Sequence, residues 1–575
     1  MELPLFTELK RRRVFRAVLG YGVAAFAVLQ IVEPVMHGLH WPDVVLSWVV
    51  VALAAGLPVV VALAWIFDVN ASGISRTASA QAHGARLTLL LVGVGLLAAA
   101  PAIVWVLLRS ASGNTSKADA PSIAVLPFAD LSPAHDQDYF SDGVAEEILT
   151  VLSNVDGLRV PGRASSFFFK GRNEAPAEIA RMLGVTYLLE GSVRRDQARL
   201  RITAEVVKAA TGERLWARRF DRELTDVFAI QDEIARAVVE SLEGKLLGGR
   251  AGAPQPVPRT SPEAYNQYLL GERFYRRFSG ENFVRAVAAY EKALELDSRF
   301  APAWAALGVP LYLVATAADT QAEALATAEK AMAAAQKALL LSPDLCDGLS
   351  TRGFLRQVLR WDWTGAEQDL VRAVQLCPGD PDAWRRYAIL LDNLGRTAEA
   401  LAAAERAVDL DPLGHSAIKL GQLQLDAGKN AAARATFERA MQLTPDAQNA
   451  ARGLADALLA QGESAAALER YRQAPGSPAG VEDGIAAALH SLGRSHEAHA
   501  LLDELQAQPR PDPVALAHAY GWMGDRDKAF QWLDRAVADR DLTIGETEVR
   551  SFWFRSLHGD DRWKVFLRKM NFPQE

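Results

Sequence analysis

Three patterns of apolar and polar residues follow one another along the chain. The first consists of long apolar runs at about residues 14–36, 44–67 and 87–108. The second, over 122–247, mixes period-two alternation with helical spacing, and the third, over 263–540, repeats a helical pattern about every 34 residues. These patterns predict a multi-domain fold class: a three-helix transmembrane anchor, an α/β domain and an all-α superhelical solenoid.

The three apolar runs predict a membrane anchor over residues 1–109. A helix crosses a bilayer with about 20 apolar residues, and the second and third runs reach that length without an internal charge. The first run follows the basic cluster Lys10-Arg11-Arg12-Arg13, so a cleaved signal peptide is its alternative. We favour a retained helix, because the run is long and another apolar run follows closely. A polar linker is expected at 110–121.

Basic residues around the runs predict their orientation. Five Lys or Arg residues lie at 10–13 and 16, whereas the loop at 37–43 has none. Since Lys and Arg concentrate on the cytoplasmic side, the expected location is a bacterial inner membrane, with a cytoplasmic N-terminus and periplasmic C-terminal domains. The lipid bilayer is therefore one expected partner.

Residues 122–247 predict a compact α/β domain. Apolar runs at 122–128 and 158–160 are typical of strands, and each precedes a segment with helical spacing. Three strands joined by tight turns are expected between residues 187 and 220, followed by a helix at about 226–247. The predicted order is β-α-β-α-β-β-β-α.

Several stretches of this domain resemble the TolB amino-terminal-like domain. They are Ile123-Ala-Val-Leu-Pro-Phe128, Tyr139-Phe-Ser-Asp-Gly143, Arg163-Ala-Ser-Ser-Phe167, Leu189-Glu-Gly-Ser-Val-Arg194 and Ala229-Ile-Gln-Asp-Glu-Ile234. The resemblance implies a non-enzymatic α/β fold of bacterial envelope proteins that is often followed by tetratricopeptide (TPR) repeats. Some relatives carry a class III cyclase or a winged-helix domain ahead of the membrane span. Only the three apolar runs precede the domain here, so neither activity is carried over.

A Gly/Pro-rich linker at 248–262 precedes an array of about eight repeats over 263–540. The clearest copy begins at Pro381 and resembles the TPR family. The positions that carry this resemblance are Trp384, Ala388, Leu391, Gly395, Ala400, Ala404, Ala407 and Pro412. The resemblance implies a superhelix with a concave groove. Residues 541–575 predict a C-terminal capping helix.

The TPR resemblance implies that first-helix residues between the core positions face the groove. In two copies these are Asp382, Arg385, Ile389, Asp392, Asn393, His415, Ile418, Gln422, Leu425 and Asp426. Mixed polar and aliphatic side chains suit an extended peptide or a helix of a protein partner. The alternative is a solvated inner face that binds nothing.

The net charge of the chain and its distribution bear on the expected partners. The 575 residues have a net charge of −7, which argues against a nucleic-acid partner because such a partner requires a basic surface. Residues 1–120 carry nine basic and six acidic side chains, whereas the remainder carries 53 basic and 63 acidic ones. The average thus conceals a basic anchor and an acidic body.

The chain has two cysteines, Cys346 and Cys377, too few for a four-cysteine zinc site. They lie at the start of the first helix and the end of the second helix of one repeat. An antiparallel helix pair brings these ends together, so one hypothesis is a disulfide bond. Two separate thiols are the favoured alternative.

Motifs for catalysis are not recognisable. The sequence has neither a phosphate loop nor a nucleophile elbow, and His496-Glu-Ala-His499 has a spacing of three instead of the four of a zinc helix. An anion site is weighed against the simple edge of a strand and a turn, which we favour; its candidate residues are Arg163, Ser165, Ser166, Lys170 and Arg172. We therefore expect no enzyme, no cofactor and no metal.

The sequence predicts an inner-membrane-anchored, non-enzymatic scaffold that binds protein partners through a TPR groove and a TolB-like domain in the cell envelope. The alternative is a membrane signalling or sensor protein, related to cyclase- or winged-helix-linked TolB-like regulators but lacking their output domain. An enzyme would require an unrecognised site in the α/β domain.

Overall fold

The computed structural model divides the chain into two units, residues 1–119 and 120–575. In the first unit it describes residues 21, 23–25, 28, 53, 67–70 and 73–76. In the second it describes residues 121–573 apart from gaps at 134–137, 156, 197–198, 224–226, 243–259, 278, 444–447, 474–480 and 546–549.

The first unit contains a short antiparallel hairpin, β1 (Phe67–Asn70) and β2 (Gly73–Arg76). The spans predicted at about 14–36, 44–67 and 87–108 lie outside the described residues, apart from a few positions. Phe67, the last residue of the second predicted span, belongs to β1.

None of the described helices combines a bilayer-spanning length with a sufficiently apolar sequence. The predicted three-helix transmembrane anchor is therefore wrong. The multi-pass inner-membrane location, with a cytoplasmic N-terminus and periplasmic C-terminal domains, is wrong for the same reason. The longest described helix, Gln321–Leu341, has 21 residues but carries four charged side chains. Ala301–Thr316 is more apolar, yet its 16 residues fall short of the ~20 that a bilayer requires.

The α/β domain is built on one five-stranded sheet. Its strands are β3 (Ile123–Val125), β4 (Ala129–Asp130), β5 (Tyr187–Asp196), β6 (Arg199–Lys208) and β7 (Glu213–Glu223). The order is β3-β5-β6-β7, and β4 also pairs with β5. β3 and β4 run parallel to β5, whereas β5, β6 and β7 form an antiparallel meander. The strand predicted at 158–160 is a single bridge between Arg159 and Ser122.

Helices cover both faces of this sheet. The helices are α1 (Asp138–Ser153), α2 (Arg163–Phe167), α3 (Pro176–Leu183) and α4 (Val227–Leu242). Ile123 and Val125 of β3 belong to the core under α1 and α4, whereas Ala124 packs with α3 on the opposite face. Burial on both faces explains why β3 reads as a continuous apolar run.

Eight consecutive helix pairs form the array in the described part of residues 262–538. Their bounds are α5 Pro262–Tyr275 and α6 Gly280–Leu296; α7 Ala301–Thr316 and α8 Gln321–Leu341; α9 Cys346–Leu355 and α10 Trp363–Leu376; α11 Pro381–Asn393 and α12 Thr397–Leu410; α13 Ser416–Asp426 and α14 Asn430–Leu443; α15 Gln448–Ala460 and α16 Ser464–Gln473; α17 Glu482–Ser491 and α18 Ser495–Gln506; α19 Pro513–Met523 and α20 Arg526–Ala538. A π-helical turn, Arg356–Arg360, extends α9. The first helices of successive pairs contact one another, and we call them the inner helices.

Glycine and large residues meet where neighbouring pairs touch. Phe437 of α14 is fully buried, and a Cβ added at Gly421 or Gly453 would come within 2.6 or 2.3 Å of its ring. The side chain of Phe437 thus fills the space between two inner helices because both carry glycine there. Such contacts link each repeat to the next.

The chain leaves the repeat pattern after α20. A 3₁₀ turn forms at Phe552–Phe554, and the last described helix, α21, spans Asp561–Lys569. Arg562 and Lys569 pair with Asp527 and Asp534 of α20, so α21 packs against the last repeat.

Candidate functional site

The α/β domain docks on the N-terminal ends of the inner helices. The backbone N–H of Ser165 donates to a carboxylate oxygen of Asp411 at 2.7 Å, and the Ser165 hydroxyl accepts from the backbone N–H of Leu413 at 2.7 Å. The backbone N–H of Gly162 donates to the carbonyl of Leu410 at 2.6 Å. A Cβ at Gly162 would lie 2.9 Å from the Asp411 side chain, so this close approach requires glycine.

A cleft of about 460 Å³ remains beside this contact, between α1 and α2 of the α/β domain and the inner helices of the first five repeats. We call it the interdomain cleft. Its ionisable lining residues, among those described, are Glu146, Glu147, Arg163, Glu272, Arg276, Asp344, Asp347, Asp380, Asp382, Arg385, Arg386, Asp411 and His415.

An ion network closes one wall of the interdomain cleft. Glu146 of α1 accepts from Arg163 at 2.6 Å and also pairs with Arg276, which in turn bonds to Glu272 at 2.9 Å. Tyr290 donates its hydroxyl to Glu272 at 2.6 Å. Burial alone raises the pKa of Glu146, but the guanidinium groups of Arg163 and Arg276 hold this pKa below its ordinary value. The network thus joins the α/β domain to the first repeat through charged groups.

A second group of charges lies at the starts of α9 and α11. Asp380 caps α11 by accepting from the backbone N–H of Asp382 at 2.9 Å, while Asp382 pairs with Arg385 at 2.9 Å. Burial, together with the carboxylates of Asp382 and Asp347, raises the pKa of Asp380 to about 7. Asp347 is accessible to solvent from the open side of the cleft. The protein walls of the cleft nevertheless reduce its solvation, and this raises the pKa of Asp347. Carboxylates are therefore crowded in this part of the cleft.

The predicted groove residues divide according to their position along the inner helices. Those at the helix starts, Asp382, Arg385 and His415, line the interdomain cleft. Burial lowers the pKa of His415, which favours its neutral form. Ile418, one turn further, lines a neighbouring cavity of about 390 Å³ beneath α3.

The remaining predicted groove residues do not reach the cleft. Ile389, Asp392, Asn393 and Leu425 are buried, and Gln422 is half-buried. Asp426 accepts a hydrogen bond from the backbone N–H of Phe552 at 2.8 Å, so the chain's own C-terminal segment lies at that end of α13.

No sequence pattern indicates the α/β-domain side of the cleft. Arg163 was considered only as part of an anion site, but its partner is the carboxylate of Glu146. Lys170, another cation of that hypothesis, pairs with Asp142 at 2.6 Å. No group of three or more His, Cys, Asp or Glu side chains in the described part of the chain is arranged to hold a metal ion.

The sulfur atoms of Cys346 and Cys377 are bonded in the structure, with a Cα–Cα distance of 6.3 Å. Both cysteines line the interdomain cleft. The bond joins the start of α9 to the residue that follows α10 and thereby closes one repeat on itself.

We expect the folded chain to gain stability on acidification through protonation of Asp411. Burial raises the pKa of Asp411 to about 6, although its bonds to Ser165 act in the opposite direction. The folded chain therefore binds a proton at Asp411 in a pH range where the unfolded chain does not, so stability rises as pH falls from about 7 towards 4. The Asp411→Asn substitution should remove this dependence. In thermal unfolding, the midpoint of the variant minus that of the wild type should be larger at pH 7.5 than at pH 5.

An exposed residue provides the control for this experiment. The Asp539→Asn substitution alters a carboxylate that is 54% exposed at the end of the array, and its effect should vary little over the same pH range. A pH-independent effect of Asp411→Asn would contradict the expected protonation.

Comparison with known proteins identifies the array. A family model described as tetratricopeptide repeat matches residues 362–415 and 418–480. The C-terminal part of the chain therefore carries TPR repeats, as the periodicity predicted. Repeat arrays of this kind present extended surfaces for binding other proteins.

One curated relative is "Putative adenylate cyclase 3" from Rhizobium meliloti (strain 1021), which is 42% identical over 189 residues. The match covers 33% of this chain and 32% of the relative, so the chain spans about a third of that protein's length.

Solved structures similar to parts of the chain include three proteins. A thermophilic TPR protein of Thermus thermophilus is 18% identical and covers 34% of this chain and 99% of its own, with a TM-score of 0.29. PilF of Pseudomonas aeruginosa is 21% identical over 36% and 91%, with a TM-score of 0.29. MamA of Desulfovibrio magneticus is 19% identical over 32% and 97%, with a TM-score of 0.23. Because these TM-scores are low, we infer the architecture from the chain's own helix pairs and not from these structures.

Proposed function

We propose that this chain is a non-enzymatic protein-interaction scaffold and that its interdomain cleft holds a segment of a partner protein. The observation that carries the proposal is the convergence of solvent-accessible charged side chains from α9 and α11 on one cleft. The Asp382 side chain is 60% exposed there although it pairs with Arg385. Charged groups held ready at the starts of neighbouring inner helices suit recognition of a peptide.

The partner segment should carry a basic side chain. Among the described residues that line the cleft, eight are acidic and four are arginines, so a guanidinium or ammonium group would reduce the repulsion between carboxylates. The rings of Tyr268 and Tyr275 also line the cleft and offer faces on which such a cation is stabilised. A volume of about 460 Å³ accommodates a few side chains and excludes a folded domain.

One further point supports a scaffold. The resemblance of the α/β domain to the TolB amino-terminal-like domain favours a binding role over catalysis, since that family is non-enzymatic. The chain covers only 32% of the curated relative. The activity in that relative's name is therefore not part of the proposal.

Selection of displayed peptides on the purified chain tests the proposal. We expect enrichment of peptides with Lys or Arg. The affinity of a synthetic peptide from the selection, measured by calorimetry, should fall about tenfold in Asp382→Asn and in Asp347→Asn, because each substitution removes a charged contact worth roughly 1.5 kcal/mol or more.

The matched control is Glu281→Gln, which removes a carboxylate that is 74% exposed on the outer helix α6 and should leave the affinity unchanged. Selection of acidic or uncharged peptides, or equal loss of affinity in all three variants, would contradict binding in the interdomain cleft.

A further inference from the structure

The C-terminal segment of the chain, residues 541–545 and 550–557 in its described parts, returns from the last repeat to the early ones. Before it, the side-chain amide of Gln321 in the second repeat donates to the carbonyls of Asp539 and Arg540 at 2.7 and 3.0 Å. The residues that form these contacts lie more than 200 positions apart in sequence. The segment therefore runs back along the array and does not extend it.

Side chains of the array bind the backbone of this segment. The Tyr312 hydroxyl of α7 donates to the carbonyl of Leu542 at 3.0 Å, and the Gln357 amide donates to the carbonyl of Gly545 at 3.3 Å, both in buried surroundings. Since such bonds recognise a carbonyl group whatever its side chain, they are typical of the capture of an extended peptide.

The contacts continue across the following repeats. The turn at Gly395 lies against the guanidinium group of Arg550. Asp426 accepts from the backbone N–H of Phe552 at 2.8 Å, and Arg555 donates to the carbonyl of Leu425 at 3.1 Å. The segment thus crosses the array near the C-terminal ends of its inner helices, opposite the ends that carry the interdomain cleft.

An aromatic triplet anchors the far end of the segment. Phe552, Trp553 and Phe554 are each at least 94% buried, and the His518 ring of α19 stacks on Trp553 with 5.5 Å between centroids. Large buried aromatic groups usually supply most of the binding energy at such a surface.

We propose that the C-terminal ends of the inner helices form a second binding surface, distinct from the interdomain cleft, and that the chain's own C-terminal segment occupies it. The partner that fits this surface is an extended segment whose early backbone carbonyls meet Tyr312 and Gln357 and whose aromatic triplet meets α19. Such a partner competes with the intramolecular segment, so the free chain binds it weakly.

The Gly545→Ala substitution tests the proposal because it acts on the segment alone. A Cβ at Gly545 would lie 2.8 Å from the backbone of Val358, and backbone atoms inside a packed array cannot move aside at low cost. The segment should therefore leave the surface while the helix pairs remain folded. The matched control is Gly559→Ala in the same C-terminal region, where nothing lies within 4 Å of the added Cβ.

The probe is a fluorescent peptide with the sequence of residues 539–557, added to the full chain and followed by anisotropy. We expect Gly545→Ala to bind it at least about tenfold more tightly than the wild type or Gly559→Ala, since the competing segment is displaced. Arg555→Ala, which loses one bond to the array, should give a smaller gain. A peptide with Ala at the three aromatic positions should not bind.

Hydrogen exchange of residues 550–557 in the same variants reports release of the segment. Unchanged peptide affinity in both Gly545→Ala and Arg555→Ala overturns the proposal, whether or not exchange increases, because the surface then binds no segment in trans. Binding of the peptide by the wild type as tightly as by Gly545→Ala also overturns it. Neither result bears on the interdomain cleft, which is tested by different residues.

Discussion

The Glu146→Ala substitution is expected to lower the free energy of unfolding of the docked α/β domain by about 2 kcal/mol, because it leaves two partly buried cations without their counterion. Glu146 holds two guanidinium groups, one from its own domain (Arg163) and one from the first repeat (Arg276), and its side chain is 15% exposed. Because its pKa is lowered in the folded chain, the same contribution should disappear on acidification below about pH 4.

Thermal unfolding together with hydrogen exchange in α1 and α2 would measure this effect. The control is Glu178→Ala, which removes an exposed partner of Arg181 in the same domain and should change the midpoint little, because solvent screens exposed pairs. Equal effects of the two substitutions would show that the network around Glu146 does not hold the domains together.

Loss of the bond between Cys346 and Cys377 is expected to lower stability by about 3–4 kcal/mol, as loop-closure entropy predicts for a sequence separation of 31 residues. Reduction of the wild-type chain and the double substitution Cys346→Ser, Cys377→Ser should give the same decrease in the denaturation midpoint. Since both cysteines line the interdomain cleft, the peptide of the proposed function should also bind less tightly.

Reductant added to the double variant is the control and should change nothing. A denaturation midpoint of the wild type that is insensitive to reductant would contradict a stabilising bond.

The repeats were predictable because their signals are local. Gly421 and Gly453 lie 32 residues apart, close to the repeat period, and the structure places both against the ring of Phe437. Trp384 and Ala388 likewise marked one face of α11. Local helical periodicity is sufficient here since each repeat contacts mainly its neighbours.

The interdomain cleft was predictable only in part. Asp382, Arg385 and His415 were identified because their positions on the inner helices follow from the repeat pattern. Glu146 and Arg163 were not, because they come from another domain and reach the cleft only when Ser165 docks on Asp411. Periodicity carries no signal for a contact 246 residues apart in sequence.

The length of the apolar runs gave a wrong prediction for the N-terminal part of the chain. It predicted spans at about 14–36, 44–67 and 87–108, which the described helices do not support. The length and apolarity of a run indicate whether a helix formed by it could cross a bilayer. They do not establish that such a helix forms.

The sequence by itself determined the α/β domain, the TPR array and the inner-helix residues of the clearest repeats, because alternation and repeat spacing act over short distances. Only the tertiary structure decided which of those residues meet a cleft and which meet the chain's own C-terminal segment. That choice depends on contacts such as Tyr312 with Leu542 and Asp426 with Phe552. These pairs lie more than 100 residues apart, and no local pattern encodes them.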